Sequence, residues 1–316
     1  MCAVFGFLNY GKKVNHKVLV RLINELAKSA EIRGTDATGI SYVNDGKMVT
    51  FKKAEPAHKV KLYFPKDTKA VIGHTRMTTQ GSESRNYNNH PFEGKCNKET
   101  FALAHNGMLY NDKELRKSNN IPETEIETDS YIAVQLLEQE KHLNAENVRR
   151  MSELVEGSFV FTILRNDNTL FLVKGSNPLT IYHFSEFGLY VYASTKSILD
   201  EALKKSDFKY KFCEIRVSEG EILEIFPDGK ISRITFESSE NYYSFFNRYS
   251  WDIPEYLAEN DEHEEMLMEY CSMFGVDKSD IQLLLDFGYC ADEIEEMLMD
   301  TSMLDEILKE IKEVIE

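Results

Sequence analysis

Short apolar runs separated by turn-forming residues fill most of residues 2–237, and this pattern limits the possible folds more than any other feature. Two amphipathic helices are expected, one between Asn15 and Gly34 and the other after Asp129. Many strands with two helices predict an α+β domain built from packed layers. The predicted strands are 4–8, 39–43, 70–72, 101–104, 158–164, 170–174, 179–183, 189–193 and a final hairpin of 221–226 with 231–236.

The second residue is a cysteine followed by the apolar run Ala3-Val4-Phe5. Removal of Met1 would leave Cys2 with a free α-amine beside its thiol. An α-amine has a pKa of about 7.7 to 8.0 and a thiol about 8.5, so one residue can supply both nucleophile and base near neutral pH. The alternative is that Cys2 merely begins a buried apolar strand.

Four polar segments follow Cys2 within about 130 residues. They are Arg33-Gly34-Thr35-Asp36-Ala37-Thr38-Gly39, then Gly73-His74-Thr75-Arg76-Met77-Thr78-Thr79-Gln80-Gly81 running on to Asn88-Asn89-His90-Pro91, then His105-Asn106-Gly107, and Glu127-Thr128-Asp129. With Cys2 they resemble, in order and spacing, the glutaminase domain of class II glutamine amidotransferases, which are N-terminal nucleophile hydrolases. Segments 157–161 and 192–195 also resemble this domain. The resemblance implies a four-layer αββα sandwich over residues 2–237.

The residue types suit glutamine, which presents an α-carboxylate, an α-ammonium and a side-chain amide. Arg76 can hold a carboxylate through two parallel hydrogen bonds, and Asp129 can pair with the ammonium. Both lie in polar, loop-like sequence. Asn106-Gly107 offers two donors for an oxyanion, although the same dipeptide is a strong hairpin-turn signal. The resemblance assigns catalysis to Cys2, Asn106 and Gly107, substrate binding to Arg76, Thr79 and Asp129, and support of the nucleophile to Arg33.

The chain also departs from the family pattern. Ala3 stands where the family usually has glycine after the nucleophile. Met77 and Gln80 stand where glucosamine-6-phosphate synthase has tryptophan and histidine. These differences indicate a different enzyme and leave glutamine as the expected substrate.

Three histidines in the matched segments, His74, His90 and His105, together with Cys96 are candidate metal ligands or bases. Their spacing fits no compact zinc pattern, and the mechanism implied by the resemblance uses neither histidine nor metal. We therefore expect hydrogen-bonding roles for the histidines, no metal site and no cofactor.

Length and composition favour a cytoplasmic protein. The chain has 316 residues, 42% of them hydrophobic, and five irregularly spaced cysteines typical of free thiols. No apolar run reaches the roughly 18 residues of a membrane span, and no signal peptide precedes Cys2. Membrane is therefore not an expected partner.

The negative charge is concentrated near the end of the chain. Residues 251–316 contain 21 Asp or Glu against 3 Lys or Arg, a net charge of −18, whereas the first 250 residues carry +2. This charge makes nucleic acid an improbable partner.

Four apolar stripes predict that 238–316 is an acidic helical extension, either a docking surface or a solvated appendage. They are Met266, Leu267, Tyr270, Cys271 and Phe274; Ile281, Leu283, Leu284, Leu285 and Phe287; Ile294, Met297 and Leu298; and Leu304, Ile307, Leu308, Ile311 and Ile315.

The expected activity is hydrolysis of glutamine to glutamate and ammonia. The acidic stretch of about 80 residues after 237 is too short to form the synthase domains fused to glutaminases in the family, so a separate ammonia-accepting protein is expected. Two alternatives stay open: hydrolysis of another γ-glutamyl or small amide, and a catalytically silent scaffold that binds partners through its tail.

Overall fold

The computed structural model describes residues 2–237, Cys271, residues 276–289 and, near the end of the chain, positions 294, 297–298, 304–305, 307–309 and 311–312. The chain divides into two compact units, Met1–Ser239 and Glu240–Glu316. The candidate site residues all lie in the first unit.

Two antiparallel sheets form the centre of the first unit. The strands of sheet A are β1 (Ala3–Asn9), β2 (Ala37–Asn44), β3 (Lys47–Lys53), β4 (Ala70–Arg76), β9 (Thr180–Phe184), β10 (Leu189–Ala193) and β11 (Cys213–Glu214). The strands of sheet B are β5 (Phe92–Cys96), β6 (Glu99–Leu109), β7 (Gly157–Arg165), β8 (Leu170–Lys174), β12 (Glu221–Ile225) and β13 (Ile231–Thr235). The strand order is β11-β9-β10-β1-β4-β2-β3 in sheet A and β13-β12-β8-β7-β6-β5 in sheet B.

Helices cover the outer face of each sheet. Residues of α1 (His16–Ser29) and α5 (Lys196–Lys205) share a buried cluster with Phe5 and Phe7 of sheet A. Residues of α2 (Asp112–Ser118), α3 (Tyr131–Glu138) and α4 (Ala145–Leu154) share another with sheet B. Between the sheets, Leu8 of β1 packs in one cluster with Leu172 of β8. Alternate residues of β1 therefore serve two layers, and the expected αββα sandwich is confirmed.

Helix α1 begins and ends where its sequence signals indicate. The Asn15 side chain accepts a hydrogen bond from the Lys17 N–H at 2.9 Å, as an N-cap does. The helix ends in a 3₁₀ turn, Ala30–Arg33, just before Gly34. A Cβ on Gly34 would lie 2.5 Å from the main chain at Arg76 and Met77, so this glycine lets the loop approach β4.

The expectation of only two helices in this domain is wrong, because α2, α4 and α5 are also present. The strand prediction omitted β3, β5 and β11, and each of these lies at a sheet edge. An edge strand has fewer neighbours and contacts more solvent, so its apolar pattern is weaker. In β3, for example, no residue is fully buried.

The second unit contains α6 (Lys278–Asp286), which includes most of the second apolar stripe, and Ile281 and Leu284 are buried. Described members of the other stripes are buried as well, namely Cys271, Ile294, Met297, Leu298, Leu304, Ile307, Leu308 and Ile311. The remaining stripe residues, Met266, Leu267, Tyr270, Phe274 and Ile315, lie outside the described residues. In the part of the chain that the structure describes, no helix has the length and apolarity needed to cross a membrane.

Candidate active site

Cys2 lies immediately before β1, a central strand whose seven residues are all buried. In the antiparallel pairing of β1 with β4, Ala3 is opposite Thr75, so the register brings Cys2 next to Arg76. The Cys2 Sγ lies 3.5 Å from the Met77 carbonyl oxygen. The Arg33 Nε donates to the Cys2 carbonyl oxygen at 3.0 Å, so Arg33 contacts the candidate nucleophile through its side chain.

The Cys2 thiol is in a desolvated environment. Burial is the largest influence on its pKa and raises it, while the charge of Arg76 lowers it and that of Asp129 raises it further. The opposing effects of Arg76 and Asp129 indicate that both lie within electrostatic reach of the sulfur. Because its pKa is raised, the thiol is protonated at neutral pH and needs a nearby base to become a nucleophile.

Arg76 ends strand β4 and is buried, so its predicted loop location is wrong. Its Nη1 donates to Asn89 Oδ1 at 2.7 Å, and its Nη2 donates to the main-chain oxygens of Gln80 and Gly81. These acceptors account for three of the five N–H donors of a guanidinium. Burial lowers the pKa of Arg76, but a guanidinium stays charged at neutral pH. Arg76 is thus a fixed, buried positive charge beside Cys2.

Asp129 lies two residues before α3 and is also buried. Its Oδ2 accepts a hydrogen bond from the Leu109 N–H of β6 at 2.6 Å, and Ser130 Oγ lies 3.3 Å from its Oδ1. Its own N–H donates to Gln80 Oε1 at 3.0 Å. These contacts fix a carboxylate between the end of β6 and the loop that follows Arg76.

Asn106 and Gly107 lie within the continuous strand β6, so the hairpin-turn interpretation of this dipeptide is wrong. The Asn106 side chain is fully buried, and among the described residues neither its Nδ2 nor its Oδ1 has a hydrogen-bond partner. Gly107 has φ of 137°, and a Cβ there would overlap the Ser158 carbonyl oxygen. Only glycine suits that backbone position. The strand therefore presents a buried amide with unused hydrogen-bonding capacity.

Thr79 is the candidate residue with least structural definition. It is exposed, three residues after Arg76, on the loop that also carries Gln80. Thr79 is thus close to Arg76 and Gln80 along the chain, and its role in substrate binding stays a prediction.

Two supporting residues were not assigned roles from the sequence. Asn177, fully buried, donates from Nδ2 to the main-chain oxygen of Asn106 at 3.0 Å. Ser194 Oγ accepts from the Val4 N–H at 2.9 Å, which holds β1 two residues after Cys2. Asn177 lies 71 residues from Asn106 in sequence, and no local pattern connects them.

Comparison with known proteins shows what the sequence is similar to. Residues 74–201 match the profile of the glutamine amidotransferase domain. Over 190 residues, 57% of this chain, the sequence is 30% identical to a glutamine–fructose-6-phosphate aminotransferase (isomerizing) of Bacillus subtilis strain 168. The sequence is thus similar to class II glutamine amidotransferase domains. It spans only 30% of the length of that relative.

Two solved structures resemble this chain in fold. One is a glutamine phosphoribosylpyrophosphate amidotransferase from B. subtilis complexed with ADP and GMP, with a TM-score of 0.58 and 23% identity, covering 75% of this chain and 50% of the other. The second is described as the allosteric regulatory enzyme of purine biosynthesis, with a TM-score of 0.60 and 20% identity, covering 86% and 58%. At these identities the likeness concerns the fold.

Three buried histidines lie near the contact between strands β4 and β6. His74 Nε2 lies 2.9 Å from the His105 carbonyl oxygen and so connects β4 to β6. The His90 ring packs against His74 with centroids 4.3 Å apart. The His105 Nδ1 lies 2.7 Å from Ser130 Oγ. Within the described residues, no group of three or more His, Cys, Asp or Glu side chains is arranged to hold a metal ion.

Burial keeps these imidazoles neutral. It lowers the pKa of His74 to about 3, lowers that of His90 well below its ordinary value, and lowers that of His105. The contacts between the sheets near the site therefore involve uncharged rings at neutral pH.

We predict that His74 makes the stability of the first unit depend on pH. Its pKa is about 3 in the fold against an ordinary 6.5, so the unfolded chain binds more protons between these values. The stabilising effect of a neutral His74 is complete above pH 6.5 and is lost as pH falls towards 3. At pH 5 the loss is about 2 kcal/mol. Urea unfolding at pH 7.5 and 5.0 should show a smaller decrease for His74→Gln than for wild type. An equal decrease in both proteins would contradict the prediction.

Proposed function

We propose that residues 2–237 form a glutaminase domain that hydrolyses glutamine to glutamate and ammonia, with Cys2 as nucleophile. The observation that carries this proposal is the buried Asn106 amide without a described partner. An unsatisfied buried polar group costs about 1–3 kcal/mol, so such a group is expected where a ligand completes its bonding. Asp129 indicates that this amide and the Cys2 thiol belong to one site. Its carboxylate accepts from the N–H of Leu109, two residues after Gly107 on β6, and its charge raises the pKa of the Cys2 thiol.

In the proposed mechanism, removal of Met1 frees the α-amine of Cys2. This amine takes the thiol proton, which the raised pKa of the thiol makes necessary. The sulfur attacks the side-chain amide carbon, and the resulting oxyanion accepts hydrogen bonds from the Asn106 Nδ2 and the Gly107 N–H. The protonated α-amine then gives its proton to the amide nitrogen, the C–N bond breaks, and ammonia leaves behind a thioester on Cys2. Water attacks the thioester while the α-amine takes one of its protons. The C–S bond then breaks, the α-amine returns that proton to the sulfur, and glutamate is released.

The substrate head would lie between the two fixed charges. The positive charge of Arg76 suits the α-carboxylate, and the carboxylate of Asp129 suits the α-ammonium. Thr79 would lie beside this head, and Arg33 would hold the nucleophile through the Cys2 carbonyl. An amide substrate without the amino-acid head would use neither charge, which favours glutamine over other small amides.

The ammonia is proposed to pass to a separate acceptor protein in the cytoplasm. The glutaminase domain lies within one compact unit, while the acidic residues 238–316 fall almost entirely within the other. We assign to this extension a role in docking the acceptor and no part in hydrolysis.

The role of Cys2 as nucleophile is tested by covalent labelling and by the intact mass of the active protein. Active protein should lack Met1, and a diazoketone analogue of glutamine should modify Cys2 alone. Cys2→Ala should abolish labelling and glutamate release. Cys213→Ala is the matched control, because Cys213 is an exposed free thiol outside the site, and it should behave as wild type. Full activity in protein that retains Met1 would refute the mechanism.

Substrate recognition is tested by pairing variants with truncated substrates. Asp129→Asn keeps an oxygen for the Leu109 N–H but loses the charge, so kcat/KM for glutamine should fall by about 10- to 150-fold, corresponding to about 1.5 to 3 kcal/mol. The loss should disappear with glutaramate, which lacks the α-amine. Arg76→Lys should give a similar loss that disappears with 4-aminobutyramide, which lacks the α-carboxylate.

Thermal melting controls for damage to the fold in both variants, and matters most for Arg76 because its side chain is buried and bonded to three acceptors. Unchanged kcat/KM for glutamine in both variants would mean that the domain binds another substrate.

The role of the extension is tested with a chain ending at residue 237. Glutamate release should equal that of the full chain, whereas binding of the acceptor should be lost. Association through a surface of charge −18 should also slow with added salt, because electrostatic steering is screened beyond about 8 Å at physiological ionic strength. A folded but inactive truncated protein would place the extension in the catalytic unit. Capture of the same acceptor by the truncated protein would refute docking through it.

A further inference from the structure

Gln80 contacts both of the charged residues proposed to hold the head of glutamine. Its main-chain oxygen accepts a hydrogen bond from Arg76 Nη2. Its side-chain Oε1 accepts from the Asp129 N–H at 3.0 Å. Arg76 and Asp129 are 53 positions apart in the chain, and this single residue connects them.

The connection crosses from one sheet to the other. Arg76 is the last residue of β4 in sheet A. Asp129 is bonded through its carboxylate to Leu109, the last residue of β6 in sheet B. The distance between the two charges thus depends on how the loop after β4 attaches to the segment before α3. The Gln80 amide is one of these attachments.

A second attachment lies at the other end of the same loop. Asn88 Oδ1 accepts from the Glu127 N–H at 2.9 Å, and Asn88 Nδ2 donates to Glu127 Oε2 at 2.7 Å. Asn88 is fully buried. This pair fixes Glu127, two residues before Asp129. At Asp129 itself the main-chain N–H is held by Gln80 and the carbonyl oxygen accepts from the Ile132 N–H at 3.1 Å, so Gln80 is the contact that ties the Asp129 main chain to the loop after β4.

The exposure of Gln80 separates positioning from stability. The residue lies on the surface, and the buried clusters of the fold do not include it. Removal of its amide should therefore leave folding nearly unchanged. Any effect of that removal on substrate binding would come through the position of Asp129.

We propose that Gln80 is a positioning residue that sets the separation between the Arg76 guanidinium and the Asp129 carboxylate and so favours substrates with an α-amino-acid head. This inference rests on the proposed glutaminase function. Because the head binds before and during the reaction alike, loss of the Gln80 acceptor should raise KM and leave kcat nearly the same.

The test compares Gln80→Met, which keeps the length but removes the acceptor, with Gln80→Glu, which keeps an acceptor oxygen. Gln80→Met should raise KM for glutamine about 3- to 10-fold, the effect of losing one hydrogen bond, with kcat within about twofold of wild type. Gln80→Glu should recover most of the lost affinity. KM for glutaramate, which lacks the group that Asp129 would bind, should be the same in Gln80→Met and wild type.

Ser84→Ala is the matched control, since Ser84 is exposed on the same loop and bonds only to Ser82 among the described residues. Ser84→Ala should leave kcat and KM for glutamine, and KM for glutaramate, at their wild-type values. A wild-type KM for glutamine in Gln80→Met, or an equal rise in KM for glutaramate, would overturn the positioning role while the proposed function stands. Failure of the wild-type protein to release glutamate from glutamine would instead overturn the proposed function and this inference with it.

Discussion

The pairing of β1 with β4 is the interaction on which the candidate site depends. It lies in the middle of sheet A, and the register of Ala3 with Thr75 brings the start of β1 next to the end of β4. A shift of one residue would turn Phe5 and Phe7 away from the helices and into the space between the sheets. The hydrophobic core therefore fixes the register, and the register fixes Cys2 beside Arg76.

Sheet B adds the proposed oxyanion donors and holds the carboxylate of Asp129. Its β6 carries Asn106 and Gly107, and the same strand holds Asp129 through the Leu109 N–H. The residues proposed to recognise the substrate head and to stabilise the oxyanion are thus joined, because one strand carries Asn106 and Gly107 and anchors Asp129. The contact of His74 with the His105 carbonyl joins this strand to β4 just before Asn106, and an uncharged imidazole allows that contact without a buried ion.

The sequence predicted the central strands and the first helix well, because their residues are buried on one or both faces and carry strong periodic signals. Edge strands such as β3 and short helices such as α2 gave weak signals, since few of their residues are buried. The candidate site residues were predicted from motif order, but the side chains that contact them were not. Asn177 supports Asn106 from 71 residues away, and Asn89 supports Arg76 from across a loop, so neither contact follows from local spacing.

The location of Arg76 shows why a loop-like sequence was a poor guide here. A guanidinium that binds a carboxylate tightly must already be held in place, since fixing a long side chain on binding costs conformational entropy. Burial at a strand end, with acceptors from Asn89, Gln80 and Gly81, provides that order before any ligand arrives. The polar residues after β4 therefore act as a support for the arginine. This explains why a segment rich in Thr, Gln, Gly and Asn follows the strand: its amide and carbonyl oxygens satisfy a charge that the sheet alone would leave unpaired.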